Sequence, residues 1–274
     1  DRQKTPPSYS LDLLLHRVSG KERSRNRLIL ARAPFFPRIG RLAELAFFPS
    51  FCKTCGRLLE KPGERILCQA CLERIELSRS PKCPLCGKLY EGIGESHICG
   101  ACAKSPPSFC RHRSAGRYRG VLKDVLLLLK YRKCRPLASV LGKAIHESLR
   151  ADGEMWRNVD LIIPVPLHKK RRRARGFNQS AEIARDIGRR TGIPVVGKVL
   201  QKVRSAPPQT SLERRARIEN VRGAYAVVRN SAVEGKTVLL VDDVYTTGST
   251  LGECARVLRG AGAAEVRAVT AAQA

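Results

Sequence analysis

Aromatic side chains make up only 5% of the 274 residues, and acidic residues are outnumbered 24 to 52 by lysine and arginine. The apolar run Val125–Leu129 falls far short of the roughly 20 residues a helix needs to cross a bilayer, so no membrane span is expected. Scarce aromatics leave few platforms on which single-stranded bases could stack. The deficit of acids leaves a net charge of +28, which points to anionic company: nucleic acid, phosphorylated small molecules or an anionic surface. The plain alternative is a basic protein with no such partner. There is no leading Met, so a fragment or a processed chain is expected. Leu11 to Leu15 is too short and too weakly flanked for a secretory signal, and a cytoplasmic location is expected. No nucleophile–base constellation is recognisable.

Cysteine, by contrast, is plentiful and ordered. Four C-x-x-C pairs occur: Cys52/Cys55, Cys68/Cys71, Cys83/Cys86 and Cys99/Cys102. The first two pairs map onto the last two at a constant offset of 31 positions, and so do Gly56 onto Gly87, Leu58 onto Leu89, Glu60 onto Glu91 and Ala70 onto Ala101. This is an internal repeat of a small unit. A self-contained duplicate should bind its own ion. One structural Zn²⁺ is therefore assigned to Cys52, Cys55, Cys68 and Cys71, and a second to Cys83, Cys86, Cys99 and Cys102. An interleaved cross-brace stays open, although the repeat argues against it. Disulfides are the competing reading, disfavoured in a cytoplasmic chain, and a redox centre would not need four copies. Units this small cannot build a core, so the metal should supply their folding energy. Cys110, Cys134 and Cys254 have no partners at ligand spacing and read as ordinary thiols. His97 reads as an exposed loop histidine.

Three regions follow. Residues 1–37 are basic and broken by prolines, a flexible arm. Residues 38–105 hold a short amphipathic helix from Arg38 to Phe47 and then the cysteine repeat. Residues 106–274 alternate strand and helix patterns, the mark of a parallel α/β sheet. Strands are expected at Cys110–Tyr118, Val159–Val165, Val195–Val203, Ala224–Val228, Thr237–Val241 and Glu265–Thr270. Helices are expected at Val121–Leu129, from Pro136 to Leu149, up to Arg190, and from Leu251 to about Gly260. Lys169 to Arg175, six of seven residues basic, reads as a solvated loop. It stands at the carboxyl end of a strand, where such sheets bind ligands, and that raises an anion-binding role. The polar excursion 204–223 has the character of a lid.

The stretch Thr237–Thr250 holds the chemistry. Its apolar strand is followed by Asp242 and Asp243, and then by the small-residue turn Thr246-Thr247-Gly248-Ser249-Thr250, which leads into a helix. Turn hydroxyls and helix-start N–H groups suit a phosphate. The paired carboxylates can accept hydrogen bonds from vicinal ribose hydroxyls.

V-L-L-V-D-D-V-Y-T-T-G-S-T resembles the phosphoribosyl pyrophosphate (PRPP) motif of type I phosphoribosyltransferases. Pro164-Val165-Pro166 through Arg175-Gly176-Phe177-Asn178-Gln179 resembles the segment peculiar to the ComF family. The double zinc ribbon ahead of such a domain, Lys130-Tyr131 and the Gln209, Leu212, Arg217, Asn220 spacing are similar to the same family. The resemblance covers residues 38–274. It implies a type I phosphoribosyltransferase-like parallel sheet flanked by helices, with an N-terminal zinc-ribbon domain. It further implies that Asp242 and Asp243 hold the ribose of PRPP and that Thr246, Thr247, Gly248, Ser249 and Thr250 cradle its 5-phosphate. Pro164, Val165, Pro166 and Arg175 would then serve the pyrophosphate together with Mg²⁺. The family's role implies competence, handling of imported single-stranded DNA, and DNA-uptake proteins as partners. The rival is an active transferase on a small acceptor with no nucleic-acid role. A third reading makes the ribbons the nucleic-acid or partner-binding module and the transferase-like domain a sensor.

Overall fold

The computed structural model describes residues 49–60, 64–78, 81–91, 94–150, 152–204 and 221–274. The basic arm, the helix expected from Arg38 to Phe47 and nearly all of the 204–223 excursion lie outside the described residues.

The cysteine repeat is also a repeat of structure. In each unit a short antiparallel bridge, Phe51 with Leu58 and Lys82 with Leu89, closes the first knuckle. The knuckle turns back through Gly56 (φ 74°) and Gly87 (φ 66°), a left-handed conformation that glycine adopts at no steric cost. A single helical turn then carries the last ligand of each unit: α1 (Gln69–Glu73) carries Cys71 and α2 (Gly100–Lys104) carries Cys102.

Beyond the ribbons the chain runs β1 (Arg111–Arg117), α3 (Gly120–Tyr131), α4 (Leu137–Ser148), α5 (Gly153–Trp156), β2 (Leu161–Pro164), α6 (Lys169–Arg175), α7 (Gln179–Thr191), β3 (Leu200–Lys202), β4 (Tyr225–Val227), β5 (Thr237–Tyr245), α8 (Ser249–Gly260) and β6 (Glu265–Gln273). Four strands form a parallel sheet in the order β1-β6-β5-β2, and a parallel bridge from Ile162 to Val195 extends it past β2. Alternate residues of β5 feed two cores. Leu239 and Val241 join the side chains of α3, α4 and α7, while Val238 and Leu240 join those of α8. Burial on both faces is why this strand reads as an unbroken apolar run.

The two ribbons close opposite faces of this sheet at its β1 edge. Cys52, Cys68 and Cys71 belong to the core on the α3–α4 side, and the four cysteines of the second unit belong to the core on the α8 side. The tail of the first unit bridges Leu77 to Gly116, with the Ser78 N–H donating to the Ala115 carbonyl at 2.7 Å. A Cβ on Gly116 would stand 2.4 Å from the Glu76 carbonyl oxygen, so this docking needs glycine.

Three sequence expectations change. β5 runs through both acids to Tyr245 rather than ending before them, because its register with β6 continues from Asp242–Thr270 to Tyr245–Gln273. The basic run expected as a solvated loop is the exposed helix α6. The His168 ring accepts from the Lys170 N–H, Gly176 closes the helix in the left-handed conformation, and arginine and lysine are themselves good helix formers. The strand expected over Val195–Val203 is one bridge at Val195 plus the three-residue β3, which pairs antiparallel with β4 outside the main sheet.

Helices α4 and α7 pack at van der Waals distance because Gly142 has no side chain. A Cβ there would meet the Asp186 carboxylate at 2.4 Å, and that carboxylate is buried and paired with Arg189 and Arg190. Gly142→Ala should therefore destabilise the fold by about 1–3 kcal/mol despite the better helix propensity of alanine. Urea denaturation checks this: an unchanged or higher midpoint would contradict it.

Candidate functional site

The carboxyl ends of β2 and β5 lie side by side, with Pro164 in register with Val241. Asp242 and Asp243 follow on β5. Successive strand residues face opposite ways, so the two acids find different partners. Asp243 turns to the end of α3, where the Lys130 ammonium sits 3.0 Å from Oδ1 with both side chains largely buried. Its Oδ2 is buried and has no hydrogen-bond partner among the described residues. A buried carboxylate oxygen left unpaired is costly. Asp242 accepts at Oδ1 from the Ser180 hydroxyl (2.8 Å) and from the Asp243 N–H (2.9 Å). Burial and then the Asp243 charge push its carboxyl up to about 7, so near neutrality the pair carries less than two full negative charges.

The turn after β5 is shaped from below. Gly248 has φ 79°, and a Cβ on it would lie 2.4 Å from the Tyr245 hydroxyl, so conformation and space both demand glycine. Gly248 is also the N-cap of α8 and offers no side chain to the helix start. The hydroxyls of Thr247 and Ser249 contact each other, and Thr250 shares a side-chain hydrogen bond with Tyr225 of β4. Thr246 is exposed at the rim. Hydroxyls and the first N–H groups of a 12-residue helix thus converge within five residues.

Tyr245 is itself held by His112 of β1, whose ring stacks on it at 4.1 Å and 20°. Burial, and then Arg113, push this imidazole down to about 3, so it is neutral. The Cys86 carbonyl, 2.8 Å from Nδ1, fixes the proton there, and Nε2 lies 3.0 Å from the Thr270 hydroxyl oxygen, which is also 3.1 Å from the Ala272 carbonyl.

On the β2 side, Pro164 ends the strand, Val165 is buried, and the Asn178 side-chain amide donates to the Val165 carbonyl at 2.9 Å. Arg175, the last residue of α6, donates to the Gln179 side-chain oxygen at 2.5 Å. Next to Pro164 and Pro166 opens a cavity of 710 Å³, lined by Arg135, Lys169, Arg172, Lys198, Lys202 and Arg229 among others. The Lys202 ammonium lies 5.1 Å from the centre of the Tyr225 ring, and burial and then Arg171 lower its pKa.

In each cysteine quartet the four sulfurs lie within 4.8 Å of one another, paired unit by unit rather than interleaved. The Sγ–Sγ distances Cys55–Cys68 and Cys86–Cys99 are both 3.6 Å. The edge of a ZnS₄ tetrahedron with bonds of about 2.3 Å is about 3.8 Å, whereas a disulfide would need about 2.05 Å. The spacing fits closed structural zinc sites. Cys110 donates instead to Glu265, and His97 stacks on Tyr90 in an exposed loop.

Residues 45–103 match the family model for a double zinc ribbon domain and residues 173–274 that for a phosphoribosyl transferase domain. Competence protein F of Haemophilus influenzae is 30% identical over 60% of this chain and 73% of its own length. The chain belongs to the ComF family. ComF-type similarity extends to the DNA utilization protein YhgH of Salmonella typhimurium, 31% identical over 60% of this chain and 72% of that protein. Competence protein ComFC of Bacillus subtilis is 26% identical over 54% and 58% respectively. Among solved structures, the allosteric regulatory enzyme of purine biosynthesis aligns at 28% identity and TM-score 0.33. It covers 48% of this chain, and the chain spans only 25% of that enzyme.

Three residues of this ComF chain escaped the sequence reading of the site. Ser180 carried a local signal, since Asn178 and Ser180 form a helix N-cap at the end of the basic run. Lys130 stood in a family-like dipeptide but was given no partner. His112, in an arginine-rich strand far from the motif, had no signal at all.

Proposed function

We propose that this ComF-family chain binds PRPP, or a close sugar phosphate, at the carboxyl end of β5 and works in the handling of imported single-stranded DNA. One observation supports the ligand above the others. Within nine residues, Asp242 and Asp243, with one buried oxygen unpartnered, are followed by a hydroxyl-rich turn that only glycine at 248 permits. The acids would take the ribose hydroxyls, Thr246–Thr250 the 5-phosphate, and Pro164–Pro166 with Arg175 the pyrophosphate. Bound Mg²⁺ would neutralise the pyrophosphate's charge. Transfer, if this chain performs it, breaks the bond from the anomeric carbon to pyrophosphate, and the electron pair leaves with the pyrophosphate while an acceptor bonds to that carbon. Such a step asks the protein for orientation and charge, not for a nucleophile.

The DNA role draws on the 710 Å³ cavity, whose six named cations open at the same end of the sheet as the acids. A cavity lined by these cations, with Phe177 as its one aromatic lining residue, suits a phosphodiester backbone more than a small nucleobase. The rival reading, a transferase on a small acceptor, keeps the acids and the turn and gives this cavity to the acceptor.

Calorimetry with PRPP and Mg²⁺, with and without single-stranded DNA, tests both parts. Mg²⁺-dependent PRPP binding is expected, weakened about ten- to a hundredfold in Asp243→Asn. Single-strand affinity should fall steeply between 50 and 200 mM salt. PRPP binding that is unchanged in the variant sinks the ligand assignment, and absent or salt-insensitive DNA binding sinks the DNA role.

A further inference from the structure

The second ribbon does more than cover an edge strand. Its ligand loops border the Thr246–Thr250 turn on two sides. Cys86 and Cys99 share a cavity of 470 Å³ with Thr246 and Thr247, and Cys86 and Cys102 share another of 480 Å³ with Gly248 and Ser249. Between them runs a continuous set of buried contacts. The Cys86 carbonyl meets His112 Nδ1, the His112 ring lies flat on Tyr245, and the Tyr245 hydroxyl fills the space under Gly248. The other ring nitrogen of His112 reaches Thr270, which is in register with Asp242. The backbone is locked as well. The His112 N–H donates to the Leu85 carbonyl at 2.7 Å, and a Cβ on Gly87 would come within 2.5 Å of the His112 oxygen. The first ribbon packs into the opposite core, away from the turn.

We propose that His112 is a positioning residue that ties the second zinc cluster to the phosphate turn, so that anion binding at Thr246–Thr250 depends on metal at Cys83, Cys86, Cys99 and Cys102. With metal in place the Cys86 carbonyl is fixed, His112 is held in one orientation, and Tyr245 supports Gly248 at the height the turn needs. Without it the carbonyl moves, and the stack that shapes the turn loses its anchor. The inference rests on the sugar-phosphate reading for its ligand but not for its coupling.

Two arms test it. In the wild-type protein, linkage requires that PRPP tighten zinc as much as zinc tightens PRPP. A chelator titration should release one ion unaffected by saturating PRPP with Mg²⁺ and the other only at about tenfold higher chelator. Release of both ions at the same chelator concentration with and without PRPP overturns the proposal. The second arm needs no ligand. His112→Phe keeps the stack and removes both nitrogens, whereas His112→Asn keeps a donor for the Cys86 carbonyl. Hydrogen exchange of amides 246–250 should accelerate about tenfold in His112→Phe, with zinc content unchanged, and recover in part in His112→Asn. Wild-type exchange in His112→Phe overturns the coupling even if PRPP binds. If PRPP does not bind the wild-type protein, the sugar-phosphate reading fails and the exchange arm alone decides.

Discussion

Chelating the zinc is expected to unfold both ribbons and to remove much of the stability of the sheet they cover. Seven of the eight cysteine side chains are buried, and beyond them the buried apolar residues of the units are few among the described residues: Leu59, Leu67 and Leu89. Zinc binding to such units is worth about 10–16 kcal/mol at neutral pH, as much as the whole stability of an ordinary domain. The loss would spread. The same cysteines belong to the two cores of the sheet, and β1 would lose the Ser78 and Leu85 backbone bonds along its outer edge. Excess chelator should therefore release about two zinc ions per chain, broaden the thermal transition and lower its midpoint by more than 10 °C. Cys83→Ser should release about one. A midpoint indifferent to chelator would show that the sulfurs cluster without metal.

Replacing Asp242 by Asn should raise stability above neutral pH while removing sugar-phosphate binding. Burial and the neighbouring Asp243 raise the Asp242 carboxyl from 3.8 to about 7. Below pH 4 the folded and unfolded chains both hold the proton, so the group costs nothing. Between there and pH 7 the unfolded chain releases a proton that the folded chain keeps, so stability falls as pH rises; above about 7 the cost is constant. A rise of that size caps the cost at about 4 kcal/mol. Asn keeps an oxygen for the Ser180 hydroxyl and the Asp243 N–H, so little is lost in exchange. Chemical denaturation at pH 8 should show Asp242→Asn more stable by about 1–3 kcal/mol, with the gain vanishing near pH 4. A variant less stable than wild type at pH 8 would contradict this account of the acids. The gain would also show that the wild-type chain keeps a destabilising charge where its ligand is expected.

Much of this was legible in the sequence, for local reasons. The offset of 31 groups the same cysteines that the structure brings together, because each unit folds around its own four sulfurs. The apolar run Val238–Val241 marked a strand buried on both faces. What stayed hidden depends on partners distant in sequence. β5 continues through two aspartates only because β6 lies beside it. The basic run became a helix because His168 and Gly176 cap it, a signal outweighed by its charge. Lys130 and His112 reach the site from helix and strand positions whose neighbours in sequence say nothing of acids or phosphates.

The two ribbons are near-copies, yet they meet unlike surroundings, because a strand shows different residues to its two sides. One copy faces a helical pack, and the other faces the turn through His112. The two units are alike in how they gather four sulfurs and differ in what they touch. Grafting the first copy into the second position would preserve both ions and still misplace the turn. The repeat thus sets one cysteine cluster against the helical core and the other beside the Thr246–Thr250 turn.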